Sequence, residues 1–340
     1  MKQTRRYRRR RGVYVSPLLV VVVLLAAAGA AFWLLSGRGA EKPAQPGDSQ
    51  QQVQPEAPVD TPPAGGGEES PSQPPANAVS AAGVACTLTE LGEEALYTGE
   101  LILVNNWTAY HFPEEQPLSN IYAEKTGSYY VRDTTVFLAP AAMAALNDLM
   151  DDFRAQGGSK TVNVVAGYRT AEEQQHLFDQ SAERNGLAHA EKFVAKPGGS
   201  EHHTGYAVDL HIRHEDGTSE EYTGAGEYAW INKNCQDYGF VVRYDQAKAE
   251  LTGIDNEPWH FRYVGIPHAT KMAEEDLCLE EYVAYLKQYT FDQPLTIDCA
   301  AGTYAVWYTV GTAAYLPDSG AYTLSGNNVD GVVVTVKTGD

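Results

Sequence analysis

Ser200-Glu201-His202-His203-Thr204-Gly205-Tyr206-Ala207-Val208-Asp209-Leu210-His211-Ile212 is the stretch on which the reading of this chain turns. From Tyr206 onward it alternates. Tyr206, Val208, Leu210 and Ile212 share one face, while Ala207, Asp209 and His211 share the other. That period of two predicts a strand with one apolar face and one face free for chemistry. A second segment, Glu257-Pro258-Trp259-His260, leads into another strand-like run, Trp259 to Val264.

Together the two segments offer His202, Asp209 and His260. Catalytic zinc takes three protein ligands of these types and keeps one position open. Two neutral imidazoles and one carboxylate leave such an ion a net positive charge, enough to acidify water and polarise a carbonyl. Glu257 would stand beside the metal as the base that takes the water's proton and returns it to a leaving amine. By spacing alone a metal site and a coincidence remain equally open, because the chain has nine histidines. His203 adds an ambiguity. Adjacent residues of an extended chain point opposite ways, so one of the two neighbours faces the site.

Outward from this stretch, helices and strands mix. Pro140 to Gln156 carries Met143, Leu146, Met150 and Phe153 at helical spacing, with Pro140 suited to the first helical position and Gly157-Gly158 as a stop. Val162 to Ala166 is a β-branched strand. Thr170 and Glu173 form a capping box for a helix that Gly186 ends after Asn185. Leu101 to Val104 reads as a short strand, Gly226 to Tyr238 as a helix, and Pro267 to Glu275 and Leu279 to Tyr289 as two more helices. Strands follow one another without long crossovers, so the fold class is α+β rather than a doubly wound sheet. Tyr304 to Val310 and Val332 to Val336 are strand-like, and residues 291–340 read as a small β appendage.

The N-terminal part is different in kind. Seven of the first twelve residues are basic and none is acidic. Residues 13–35 carry no charge, which is long enough to span a bilayer as a helix. The run continues through Phe32-Trp33-Leu34-Leu35, which favours an uncleaved anchor over a cleaved signal, although Ala26 to Ala31 would suit a cleavage site. The basic cluster would keep the N-terminus cytoplasmic and place the rest of the chain outside. Residues 36–80 hold nine of the 18 prolines and no aromatic residue, the composition of a linker. Without the seven N-terminal basic residues, 18 basic side chains face 44 acidic ones, a net charge of −26, which argues against nucleic acid as a partner. The four cysteines, Cys86, Cys235, Cys278 and Cys299, include no CxxC pair. A cysteine zinc site is therefore not expected, and three disulfide pairings stay open.

The pattern Ser200-x-His202-x-x-Gly205-x-Ala207-x-Asp209, followed by Glu257-x-x-His260, resembles the VanY-like D-alanyl-D-alanine carboxypeptidases. These are zinc peptidases whose family also includes D-Ala-D-Ala dipeptidases and LD-carboxypeptidases. Gly167-Tyr168-Arg169-Thr170 with downstream Gln174, Leu177 and Phe178 fits the same pattern, as does the loop Lys196-Pro197-Gly198-Gly199. The resemblance covers about residues 101–289. It implies a zinc peptidase domain built on a central antiparallel sheet flanked by helices, and the turn to globular composition near Ala81 sets that domain's bounds at residues 81–290. It implies that His202, Asp209 and His260 bind zinc, that Glu257 is the general base, and that Arg169 stabilises the oxyanion. Ser200 and Gln174 would hold the substrate's terminal region. The implied substrates are peptidoglycan stem peptides, cut at the terminal D-Ala-D-Ala bond. LD-carboxypeptidase and wall endopeptidase activities of the same fold are the alternatives, and a non-catalytic wall-binding module is another. Two positions depart from the family: His203 stands where Gln is common, and Thr170 where Ser is.

Overall fold

The computed structural model describes residues 75–340. The expected basic segment, anchor and most of the linker lie outside the described residues. Among those described, no helix is long and apolar enough to cross a membrane.

The fold is α+β, organised on a six-stranded sheet. Its main path runs Tyr130–Val131, Val162–Ala166, Ala207–Arg213, Glu257–Tyr263, Phe240–Tyr244, and Ser219–Glu221 pairs with the far end of Ala207–Arg213. Tyr130–Val131 joins in parallel and every other pairing is antiparallel. The alternation read from the sequence holds: Val208, Leu210 and Ile212 are buried in the main core beneath the helix Pro140–Ala155. Met143, Leu146, Met150 and Phe153 of that helix pack on Val162, Val164 and Phe261. Burying each such side chain contributes about 1.5–3 kcal/mol, so this layer anchors the sheet and leaves its opposite face for the site.

The register does the rest. His260 lies directly opposite Asp209, and Phe261 opposite Val208. Cross-strand partners on one face have Cβ atoms about 4.5–5.5 Å apart, so two of the proposed ligands, 51 positions apart in the chain, become neighbours by strand pairing.

The helix Ala171–Asn185 begins and ends where its signals lie. Thr170 accepts from the Glu173 N–H, Glu173 accepts from the Thr170 N–H, and Gly186 follows at φ 89°. Two other expectations are corrected. Residues 101–104 are buried but belong to no strand, since an apolar run reports burial and not the presence of a pairing partner. Residues 226–238 form a short α-helix, Ala229–Asn234, between single 3₁₀ turns, so the helical pattern does not make one continuous helix.

The segment 291–340 is knit into its surroundings. Its four-stranded sheet runs Leu295–Cys299, Gly302–Val310, Gly331–Gly339, Tyr322–Gly326. Leu295, Val306 and Val333 pack on Met272, Leu279 and Leu286 of the two helices Ile266–Glu274 and Leu279–Leu286. Strand Ala313–Pro317 pairs with Ala85–Glu90, which in turn pairs with Asn77–Val79, four residues ahead of the expected domain start at 81. No division of the described residues falls at 290. All four cysteines are free thiols, three of them buried.

Candidate active site

His202 sits on the one-turn helix Glu201–Thr204 that leads into the Ala207–Arg213 strand. Its Nδ1 faces the Gly167 carbonyl at 2.7 Å, which holds a proton there and leaves Nε2 as a lone pair aimed at Asp209. Nε2 lies 3.2 Å from Asp209 Oδ2, and His260 Nδ1 lies 3.0 Å from Asp209 Oδ1. These separations are close to the ~3.3 Å edge of a tetrahedron with zinc bonds of ~2.0–2.1 Å. Asp209 Oδ1 is buried yet accepts no hydrogen bond. The three donors lie within 4.8 Å of one another, the only such set of three among the described residues. Two imidazole nitrogens and one carboxylate, mostly buried and converging without satisfying each other, fit a zinc ion. His211 shares the strand face with Asp209 but stays outside the donor set.

Glu257 stands at the start of the His260 strand, with Oε2 3.8 Å from His260 Nδ1. Burial is the main cause lifting its carboxyl to about 7, with the nearby Asp209 adding to the rise and His260 opposing it. A carboxylate poised there is suited to accept and return a proton near neutral pH. Burial disfavours the charged form of His260, but the carboxylates of Asp209, Glu201 and Glu257 close around the ring outweigh it and raise it to about 9. The carboxylates around that ring favour positive charge at this point, which is the demand a metal cation meets.

Arg169 directs Nη1 to Gln174 Oε1 at 2.8 Å, and Gln174 Nε2 donates to the Ala195 carbonyl at 2.6 Å. Gln174 is thus a buried strut that aims the guanidinium, with both ends of its amide engaged inside the protein. Ser200 is buried at the cleft wall. His203 turns away, but not by strand alternation, since both histidines lie in the one-turn helix Glu201–Thr204: its Nδ1 faces the Arg169 carbonyl at 2.7 Å and its Nε2 accepts from the Gly198 N–H at 3.1 Å. It ties the Arg169 backbone to the Lys196–Gly199 loop.

The donors, Glu257, Arg169 and Ser200 line one cleft of about 350 Å³, which continues past Leu177 and Phe193. This lies within the usual size of a small-ligand site. Trp259 and Tyr244 also line it, and the Tyr244 ring packs against His260 with centroids 4.8 Å apart. Tyr244 carries no motif signal. Arg262, open in sequence to a cleft or a solvated strand face, is neither: it is fully buried and bonds Glu201 and the carbonyls of Glu100, Ile102 and Tyr263. Glu201 lies inside the quoted motif, but its partners stand 42 and 61 residues away and no local signal announces them.

Residues 135–266 match the family model described as VanY, D-alanyl-D-alanine carboxypeptidase. A D-alanyl-D-alanine carboxypeptidase of Enterococcus faecium is 32% identical over 256 residues, 73% of this chain and 78% of that protein. The bifunctional D-Ala-D-Ala dipeptidase and carboxypeptidase VanXYC of Enterococcus gallinarum is 38% identical over 159 residues, 46% of this chain and 82% of that protein. Among solved structures, the vancomycin-resistance D,D-dipeptidase VanXYg, in complex with a D-Ala-D-Ala phosphinate analogue, superposes with a TM-score of 0.66 at 32% identity, covering 74% of this chain and 98% of that one. With its ordered motifs, its matching fold and this extent of shared sequence, the chain belongs to the VanY family of D-alanyl-D-alanine carboxypeptidases.

Proposed function

We propose that the protein is a zinc-dependent carboxypeptidase that hydrolyses the terminal D-Ala-D-Ala bond of peptidoglycan stem peptides and releases D-alanine. The observation that carries this is the convergence of His202, Asp209 and His260 in the cleft with the carboxyl of Glu257 beside them. His202, Asp209 and His260 would hold the zinc ion, which when bound lowers the pKa of water and polarises the scissile carbonyl. Glu257 takes the proton of the attacking water and passes it to the departing amine. Arg169, aimed by Gln174, donates to the oxygen on which negative charge develops. Ser200 and neighbouring backbone donors hold the terminal carboxylate, a local recognition that the acidic body of the protein makes necessary.

The deciding experiment is mass spectrometry of defined muropeptides after incubation with the zinc-loaded protein. A pentapeptide with a free C-terminus should lose one D-alanine. Its C-terminal amide should be cleaved far more slowly, since donors built for a carboxylate would be left unpaired. Equal rates on both would promote the endopeptidase reading. Cleavage of the tetrapeptide alone would assign an LD-carboxypeptidase, and binding without cleavage a wall-binding module. The charge pattern of residues 1–35 supports a single-pass membrane anchor with the catalytic unit outside the cell. Recovery of the protein in the soluble fraction of lysed cells would overturn that part.

A further inference from the structure

Glu201 has a side chain with no exposure to solvent, between Ser200 and the ligand His202. A buried carboxylate survives only where partners satisfy it. One oxygen is well provided for: Oε1 accepts from Arg243 Nε at 2.7 Å and from Arg262 Nη1 at 2.9 Å. Arg243 also reaches Glu280 Oε1 at 2.6 Å, so two acids and two bases form one charge-balanced cluster. The other oxygen, Oε2, has no hydrogen bond in the protein. It lies 3.5 Å from His260 Nε2, which is also buried and also without a hydrogen bond. The cluster does not divert Oε2 to its own use, although Arg243 Nη1 is left without an acceptor. Both guanidiniums act on Oε1, which fixes the carboxylate plane and leaves Oε2 directed at the ring.

We propose that Glu201 is a positioning residue for the metal ligand His260: it holds the proton on Nε2, so that Nδ1 presents its lone pair to the site beside Asp209. This rests on the zinc reading above and deepens it. The geometry explains why Arg262 is buried two residues after His260 on the same strand face: it clamps the carboxylate that orients the ligand. Carboxylates that accept from a ligating histidine typically change metal affinity 10–100-fold when removed.

The test is zinc affinity by chelator competition on the full chain, for Glu201→Gln alone and with Arg243→Gln. The single change leaves an excess buried cation and is expected to destabilise. The double change restores the charge balance of the cluster, leaving Arg262 and Glu280. If Glu201 positions His260, the double variant regains stability but binds zinc 10–100-fold more weakly, and its kcat recovers at saturating zinc with KM unchanged. Wild-type zinc affinity in the folded double variant would make Glu201 a structural charge only and overturn the proposal. A second measurement needs no variant. In the ¹⁵N-histidine-labelled, zinc-loaded wild type, His260 should show a protonated Nε2 and a metal-bound Nδ1, and the opposite tautomer refutes the assignment whatever the variants do. Both readouts are independent of peptide hydrolysis, so absence of D-alanine release would count against the proposed function and leave this inference standing.

Discussion

His268 makes the protein's stability depend on pH well away from the active site. It lies in the helix Ile266–Glu274, almost fully buried, with Nδ1 2.8 Å from Tyr282 Oη and Nε2 2.9 Å from Thr335 Oγ1. Both neighbours are hydroxyls, able to accept as well as donate, so hydrogen bonding does not forbid a charged ring. Burial alone does, and it lowers the pKa from 6.5 to about 3. A folded-state pKa below the unfolded one means that the unfolded chain takes up the proton first. Full stability therefore holds above pH 6.5 and is lost progressively as the pH falls toward 3. At 1.36 kcal/mol per pKa unit the total is at most about 5 kcal/mol, of which about 2 kcal/mol is lost by pH 5. Urea denaturation at pH 8 and pH 5, on the wild type and His268→Gln, isolates the effect, because zinc and all other groups are common to both. At pH 8 the variant should be less stable by about 1–2 kcal/mol through its lost hydrogen bond. At pH 5 that gap should have closed, because the variant does not share the wild type's loss. A gap that stays constant between the two pH values would refute the reasoning.

Further outcomes are expected. Glu257→Ala should retain zinc and fold yet lose turnover by a factor of about 10² or more, and metal loss measured in that variant would make Glu257 a ligand instead. Trp307→Ala, at a fully buried ring stacked edge-on against Phe291, should cost about 3–5 kcal/mol in denaturant unfolding; a cost under about 1 kcal/mol would show that the C-terminal sheet contributes little to stability. A chain beginning at Pro75 should be active, whereas one beginning at Ala81 lacks the strand Asn77–Val79 and should melt lower by calorimetry. Thr170→Ala should lower stability by about 1 kcal/mol through the lost cap, and because Gln174 and Arg169 sit at that helix start, it should also slow D-alanine release.

The ligand types, the capping box, the Pro140 helix and the face-switching strand were all legible in the sequence. Each is a local signal: a period of two, a period of 3.6, or a capping residue at a set distance. The family motifs added the pairing of Glu257-x-x-His260 with the earlier segment, which spacing alone left open. In the structure His202 stands in the donor set, while the His203 ring is taken up by a carbonyl and an amide of the neighbouring loops. Other readings failed because they asked a local pattern for a long-range fact. The apolar run 101–104 announced burial correctly but not its mode. Arg262 read equally as a cleft-lining or a solvated strand-face cation, and its buried partner sits 61 positions earlier.

Sequence by itself determined which residues are candidates for the chemistry and which faces of their elements they occupy, because those depend on residue type, bonded neighbours and short periods. Tertiary structure alone decided that His260 stands opposite Asp209, that Glu201 meets two arginines and a ligand, and that the last fifty residues complete the fold. Strand register and buried ion pairing arise from contacts between segments tens to hundreds of positions apart, and a local pattern contains no record of which distant partner closes on it.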